Sequence, residues 1–375
     1  PTVAMFEERL ALIEGAEAAL ATGTGMAAMF ASLASFVSAG DRVVASPAMF
    51  SSCYVVLTEI LPKWGVQVEI VSANTEEGWK KALSAPVKAV FIETPSNPLM
   101  EIVDIALVAE LTHRSGGILI VDNVMASPVL QKPLELGADV VMYSTTKHID
   151  GQGRVLGGAI LGSADYIKNS VIPFTRHTGP SMSSFNAWVM LKSLETLNLR
   201  VERMAESALA LAKHFEGRKG IKAVHYPYLP SHKHHALAKA QMSGGGTTVA
   251  IEFDAPRIAV SRGKRHGIEV FARRGRQVRD HAVTVQVALH GRRTDRSGLG
   301  QRELAGALEC GGIEATHRDQ VRLAAHGLER ERAREATATR AIVIAGDRGR
   351  RVAIAQHGKA GVVIRSVAGG DGAGS

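Results

Sequence analysis

"DVVMYSTTKHIDGQGR", residues 139–154, runs an apolar segment, "DVVMYS" (139–144), straight into two threonines, a lysine and a glycine-rich turn. The segment is apolar without alternation, as in a strand buried on both faces of a sheet. Similar runs stand at "RVVAS" (42–46), "VQVEIV" (66–71), "VKAVFIE" (87–93), "GILIVDN" (117–123) and "GGAILG" (157–162). Helical stretches separate several of them, among them "GMAAMFASLASFVS" (25–38) and "IALVAELTHRSG" (105–116). Apolar strands alternating with helices predict an α/β fold, a mostly parallel sheet covered by helices on both faces. From residue 184, "SFNAWVMLKSLETLNLRVERMAESALALAKHFE" reads as a long helical region leading into a smaller domain.

The bulk composition limits the function classes. The chain has 375 residues, 46% hydrophobic and 21% charged, enough for two domains with well-buried cores. No apolar run reaches the roughly 18 to 20 residues of a membrane span. The opening "PTVAMFEERL" has neither the basic start nor the apolar core of a signal peptide. It also has no initiator methionine, so the chain is expected to begin inside a longer protein. Cys53 and Cys310 provide neither a disulfide framework nor a metal-ligand spacing. A reducing cytoplasm is the expected location.

The net charge of +8 is unevenly spread. Residues 1–256 hold 21 Lys+Arg against 24 Asp+Glu, and residues 257–375 hold 23 against 12. In the latter segment 21 of the basic residues are arginine and the sole aromatic is Phe271, so a normal core is difficult to build there. "RRGRQVRD" and "LERERARE" can be read as solvated helix faces. An RNA-binding tail is a second reading, but the aromatics that would stack on bases are missing. A reading-frame slip in a GC-rich gene raises Arg, Ala and Gly together, and accounts for the composition best. Functional weight therefore falls on residues 1–256.

Ligands of open α/β sheets gather at the carboxyl ends of the strands. There "FIETPSNPL" places Asn97, "LIVDN" places Asp122, and "VMYSTTK" places Ser144, Thr146 and Lys147. "ATGTGMAAMF" (21–30) is a glycine-rich turn opening a helix, where free N–H groups and the helix dipole favour a phosphate. Each feature has a bland reading: a flexible turn, a capping carboxylate, a surface lysine, turn hydroxyls. "GTG" lacks the third glycine and the acidic residue of a dinucleotide fingerprint. The conjunction changes the odds. A buried aspartate requires a positive partner, and a protonated pyridine nitrogen is one. A phosphate cradle, an acid facing a ring nitrogen and an imine-forming amine are the parts that pyridoxal phosphate needs.

Residues 1–256 resemble the Cys/Met-metabolism family of pyridoxal-phosphate enzymes, which includes cystathionine γ-synthase, cystathionine γ-lyase, methionine γ-lyase and the homoserine sulfhydrylases. The resemblance runs through "PTVAMFEERLALIEGAEAALATGTGMAA", "ETPSNPL", "IVDN", "DVVMYSTTKHIDGQGR", "GPSMSSFNAW", "LETLNLR" and "LPSHKHHALAKAQMSGGGTTVAIEF", then stops. Within the family, "TKHIDGQGRVLGGAI" and "MFSSCY" are most similar to O-succinylhomoserine sulfhydrylases.

The resemblance implies the type I, aspartate aminotransferase-like transferase fold. Residues 1–190 would form the large cofactor domain and 191–256 the start of a smaller C-terminal α+β domain, disrupted over the anomalous segment 257–375. Lys147 would be the Schiff-base lysine and Asp122 the partner of the ring nitrogen. The amides of Gly25 and Met26 and the hydroxyls of Ser144 and Thr146 would hold the phosphate. Phe50 takes the position of a stacking aromatic that is usually tyrosine, leaving more proton transfer to Lys147. Asn97 would lie near the cofactor's ring oxygen or the substrate carboxylate. "HKHH" (232–235) falls in a loop expected to be solvated, and no metal is expected.

The implied reaction is γ-replacement on a small amino-acid substrate, O-succinylhomoserine, with sulfide giving homocysteine and succinate. A cystathionine γ-synthase or γ-lyase would use the same residues. The implied assembly is a homotetramer, with no nucleic acid or membrane as partner. Two features of the family are missing: a Tyr-x-Arg pair near the start that reaches a neighbouring subunit's phosphate, and a C-terminal Ser-Leu-Gly segment with an arginine for the substrate carboxylate. Arg365 in "VIRSVAGG" does not match that arginine. A non-catalytic, truncated or frameshifted product is therefore the rival expectation.

Overall fold

A computed structural model of the protein describes residues 1–253. Beyond them it describes only the backbone of six strands: β10 (Ile268–Arg273), β11 (Val283–Leu289), β12 (Arg322–Leu323), β13 (Ala341–Ala345), β14 (Arg351–Gln356) and β15 (Val362–Val367). The remainder of the anomalous segment 257–375, including Cys310, and the side chain of Arg365 lie outside the described residues. The described chain divides into two compact units, one of Pro1–Leu209 with His225–Ala250, the other containing Ala210–Val224 and residues 251–253.

The first unit is built on a seven-stranded sheet: β1 (Ala18–Thr22), β2 (Arg42–Ala45), β3 (Gln67–Ile70), β4 (Ala89–Glu93), β5 (Ile118–Asp122), β6 (Val140–Tyr143) and β7 (Gly158–Gly162), in the order β1-β7-β6-β5-β4-β2-β3. The pairs β2/β3, β2/β4, β4/β5 and β5/β6 are parallel. β7 is antiparallel to both β6 and β1. The expected mostly parallel sheet is thus found, with its strands within a residue or two of the predicted bounds. β1 was not anticipated: "AALAT" is mostly alanine, a helix former, and only its pairing with β7 makes it a strand.

Successive residues of the central strands face opposite sides. Val43, Phe91, Ile120 and Val140 pack into one apolar cluster with Met29 and Leu33 of the helix Gly25–Ala34. Val44, Val90, Ile92, Leu119 and Val121 pack into another with Val108 of the helix Ile105–Arg114. A third cluster joins Val141, Tyr143 and Leu161 to Phe6 and Leu10 of the helix Thr2–Glu14, and to Ala187 and Met190 of the helix Ser184–Leu194. Each fully buried aliphatic side chain contributes roughly 1.5–3 kcal/mol, which explains why these strands are apolar throughout.

Helix starts follow capping chemistry. Thr24 accepts from the Ala27 N–H, Asp104 from the Leu107 N–H and Ser183 from the Asn186 N–H. The long helical region breaks once, where the Thr196 N–H turns back to the Ser193 carbonyl, and resumes as Leu197–Phe215. β8 (Ile221–His225) and β9 (Thr248–Phe253) enter a four-stranded sheet in the order β10-β11-β9-β8. β12, β15, β14 and β13 form another, antiparallel sheet. Among the described residues no helix is long and apolar enough to cross a membrane.

Candidate active site

The strand order reverses between β2 and β4. The chain leaves β2 for β3 on one side, while β4 is followed by β5 on the other. Side chains collect in the crevice outside the carboxyl ends of strands at such a switch. The loop after β2 carries Phe50, the loop after β4 carries Asn97, β5 ends in Asp122, and β6 is followed by Ser144, Thr146 and Lys147.

Gly25 and Met26 open the helix Gly25–Ala34, so their N–H groups precede the first intrahelical bond. Thr24 takes up the Ala27 N–H at 3.1 Å, leaving the first two amides outside that cap. Gly25 is buried against the turn after β6. A Cβ placed on it would lie 2.5 Å from Ser144 Cβ and 2.6 Å from Ser144 Oγ. The Ser144 hydroxyl therefore stands directly beside the start of the helix.

Asp122 is buried, and among the described residues the one hydrogen bond to its carboxylate comes from the Val124 N–H at 3.0 Å. Burial pushes its carboxyl up to about 7, against the opposing effect of that N–H. Its in-register neighbour on β4 is Glu93, also buried. Burial and then the adjacent Asp122 raise Glu93 well above the usual carboxylate range. The Phe50 N–H donates to Glu93 Oε2 at 2.5 Å and the Asn97 N–H to Glu93 Oε1 at 2.7 Å. Phe50 itself is 38% exposed. Sequence reasoning passed over Glu93. The signal in the sequence was that "VFIE" and "LIVD" both end in an acid, while their parallel pairing is shown only by the sheet.

Lys147 is exposed, in the turn that follows β6. The sequence places it beyond the carboxyl end of an apolar strand, and that strand stops at Tyr143. An unpaired ammonium is too costly to desolvate, and among the described residues nothing pairs with Lys147 Nζ. Its backbone is well fixed, with its N–H on the Ser144 carbonyl at 3.1 Å and its carbonyl accepting from the Gly151 N–H at 2.6 Å. The Thr146 hydroxyl, expected to hold a phosphate, bonds to the Gly157 carbonyl at 3.2 Å and accepts the Gly157 N–H at 3.0 Å.

The turn has further supports that the sequence reading missed. Buried Asp150 accepts from the Arg154 N–H at 2.7 Å and from Arg154 Nε at 2.9 Å. Arg200 donates to the carbonyls of His148 and Ile149 at 2.7 and 3.1 Å. Gly151 has φ +68°, and a side chain there would strike the Arg200 guanidinium.

"HKHH" is less solvated than expected. His232 is 7% exposed, its Nδ1 accepts the His234 N–H at 3.2 Å, and burial lowers its pKa to about 4. The loop turns twice, with the His232 N–H on the Leu229 carbonyl at 3.0 Å and the His235 N–H on the His232 carbonyl at 2.9 Å. Among the described residues no His, Cys, Asp and Glu cluster is arranged to hold a metal ion.

The profile of the Cys/Met metabolism PLP-dependent enzyme family matches residues 1–266. The chain belongs to this family. A Mycobacterium tuberculosis (strain H37Rv) protein named O-succinylhomoserine sulfhydrylase is 57% identical over 256 residues, 68% of this chain and 63% of that protein. A Pseudomonas aeruginosa protein of the same name is 46% identical over 262 residues, 70% and 65% of the two chains. The chain thus spans less than two thirds of the length of these relatives. Among solved structures, metB from Corynebacterium glutamicum superposes with a TM-score of 0.74 at 28% identity, covering 82% of this chain and 84% of that one. Cystathionine gamma synthase from Xanthomonas oryzae pv. oryzae gives 0.74 at 27%, covering 83% and 84%. These neighbours bear out the PLP-dependent transferase fold.

Pyridoxal phosphate is the cofactor of the Cys/Met metabolism family, and the residues present fit it. The close approach of Gly25 to Ser144 leaves a helix start and a hydroxyl together, suited to a phosphate. Asp122 and Glu93 are buried carboxylates without a basic side chain bonded to either among the described residues, suited to a cationic ring nitrogen.

Proposed function

We propose that this protein is a pyridoxal-phosphate enzyme of γ-replacement, acting on O-succinylhomoserine with sulfide to give homocysteine and succinate. The observation that carries the reading is the meeting, at one end of the sheet, of an exposed lysine amine, a buried carboxylate pair and a helix start against Ser144. The acyl donor and nucleophile follow the names of the relatives at 57% and 46% identity.

In this reading the amides of Gly25 and Met26 and the hydroxyl of Ser144 hold the phosphate. Thr146 joins them by turning its hydroxyl, since the Thr146 N–H, 3.3 Å from the Gly157 carbonyl, remains to satisfy that oxygen. Asp122 keeps the ring nitrogen protonated, Phe50 covers one ring face, and Asn97 orients the ring oxygen or the substrate carboxylate. Once bound, pyridoxal phosphate supplies the electron sink that acidifies the substrate's Cα and Cβ protons. With the cofactor held there, Lys147 Nζ would take the substrate's Cα proton. Phe50 offers no hydroxyl to share this work, so Lys147 also returns protons at the later steps. The enzyme is proposed to be a cytoplasmic homo-oligomer, a tetramer as the family resemblance implies, without nucleic-acid or membrane partners. Residues 1–190 form its cofactor domain and 191–256 begin the smaller one.

Two other readings have an observation behind them. Relatives named cystathionine gamma-lyase (Bacillus subtilis, 33% identical) and cystathionine gamma-synthase (Mycobacterium bovis, 36%) favour cysteine as nucleophile, or elimination. The family profile stops at residue 266, near the composition break at 257, which favours a chain that holds the cofactor without a competent substrate site. The full chain incubated with pyridoxal phosphate should develop a band near the visible edge that borohydride bleaches, and Lys147→Ala should abolish it. Succinyl- and acetylhomoserine, each assayed with sulfide and with cysteine, then separate the readings. Sulfide with the succinyl ester should be fastest. A normal band with no turnover of any pair would support the non-catalytic reading, and no band in the wild type would reject cofactor chemistry in this chain.

A further inference from the structure

We infer that Glu93 is a positioning residue of this site, tying the Phe50 loop to the Asn97 loop and so setting the gap in which the cofactor's ring is held. The inference rests on the function proposed above for its ligand, and on the structure for its geometry. Glu93 is the last residue of β4 and 1% exposed. Its two oxygens serve two different loops: Oε2 accepts the Phe50 N–H at 2.5 Å, and Oε1 accepts the Asn97 N–H at 2.7 Å. Those loops leave β2 and β4, the strands on either side of the reversal in strand order. A single side chain therefore bridges the crevice floor.

The residue type is chosen by this task. Hydrogen bonds to a charged acceptor are about twice as strong as neutral ones, and each loop would receive one when a cationic ring beside the pair draws Glu93 into its charged form. Glutamine offers one acceptor oxygen and turns an NH2 group towards the other N–H. Aspartate is a methylene short of reaching both. A buried carboxylate held only for packing would be replaced with profit by an apolar residue, so its presence calls for a partner beyond the two amides. Asp122 lies beside it in register, and the pair places two carboxylates where a cationic ring would sit. Asp122 faces the ring, while Glu93 fixes the loops that carry the ring's cover and its oxygen contact.

Two measurements on the full chain test this. In the first, pyridoxal phosphate is titrated onto wild type, Glu93→Gln and Glu93→Asp, following the imine absorbance and its induced circular dichroism, which reports the tilt of the bound ring. Both variants should bind roughly tenfold or more weakly, the range for loss of a charge-assisted buried hydrogen bond, and their bound fraction should show an altered dichroism per imine. A purely structural role would lower the melting temperature while leaving that per-imine signal unchanged. The second measurement is hydrogen exchange of the Phe50 and Asn97 amides in wild-type protein without cofactor. Both should be protected; exchange at unprotected rates would overturn the clamp, whether or not the variants fold. Wild-type affinity and dichroism in Glu93→Gln would overturn it equally. Failure of the wild type to bind the cofactor, with both amides protected, would reject the proposed function and leave the clamp standing.

Discussion

A methyl group on Gly25 would sit 2.5 Å from Ser144 Cβ and 2.8 Å from Ser144 Cα, closer than carbon atoms approach without moving. Neither neighbour can swing away, because one is backbone and the other is fixed to it. Gly25→Ala should therefore push the turn after β6 from the helix start, costing about 1–3 kcal/mol as overpacked cores do. It should also weaken pyridoxal phosphate binding at least tenfold, because the first amides and Ser144 part company. A urea midpoint and a cofactor titration read the two effects separately; wild-type values for both would sink the argument. Adding Ser144→Gly should recover part of the stability and none of the affinity. The residues of this cradle were legible in sequence because small residues, a helix start and a lysine follow one another in short motifs. Glu93 was not, since the worth of an acid at a strand end depends on which strand lies beside it. The exposure of Lys147 was not legible either, because an apolar run ending at Ser144 says nothing of how the turn beyond it packs.

Whereas the edge strand β3 alternates exposed Gln67 and Glu69 with half-buried Val68 and Ile70, the strands β2 and β4 to β7 could be read from their apolar runs, because a sheet covered on both faces has no polar side to mark. The same feature hid β1, which is short, alanine-rich and meaningful only beside β7. Another hidden link is the docking of the helix Thr2–Glu14. Its last residue, Glu14, is fully buried, with Oε2 accepting the Tyr143 hydroxyl at 2.5 Å and Oε1 left without a partner among the described residues. Asn123, next to Asp122, donates to the same hydroxyl at 2.6 Å. Burial lifts Glu14 from its ordinary 4.5 to about 7, outweighing the Tyr143 bond. The folded chain then holds a proton that the unfolded chain releases, so this contribution to stability is complete below pH 4.5 and lost as pH rises through about 7. Its full size is about 3 kcal/mol. Glu14→Gln keeps the acceptor for Tyr143 and removes the titration. The variant should lose less stability than wild type between pH 5 and pH 8 in thermal melts, and parallel pH profiles would refute the assignment.

At the scale of the molecule, every residue proposed for the cofactor site, from Gly25 to Lys147, falls within one compact unit. None comes from the second unit or from the arginine-rich segment that carries the basic charge. Cofactor binding should therefore be linked to the unfolding of the first unit by mass action. A ligand at a hundred times its dissociation constant adds about 2.7 kcal/mol. For a unit of roughly 200 to 250 residues that raises the melting temperature by roughly 5 to 10 °C. The rise should grow with the logarithm of pyridoxal phosphate concentration. Lys147→Ala keeps the phosphate cradle and loses the covalent link, so its melting temperature should rise less at equal concentration. Pyridoxal without phosphate should move wild type less than pyridoxal phosphate does, because the amides of Gly25 and Met26 then have no anion to bind. A shift that survives unchanged in Lys147→Ala would mean that the aldehyde acts on other lysines, and would remove the first unit's turn as the site. Scanning calorimetry can attribute the shift to the transition of the first unit, which the placement of these residues requires.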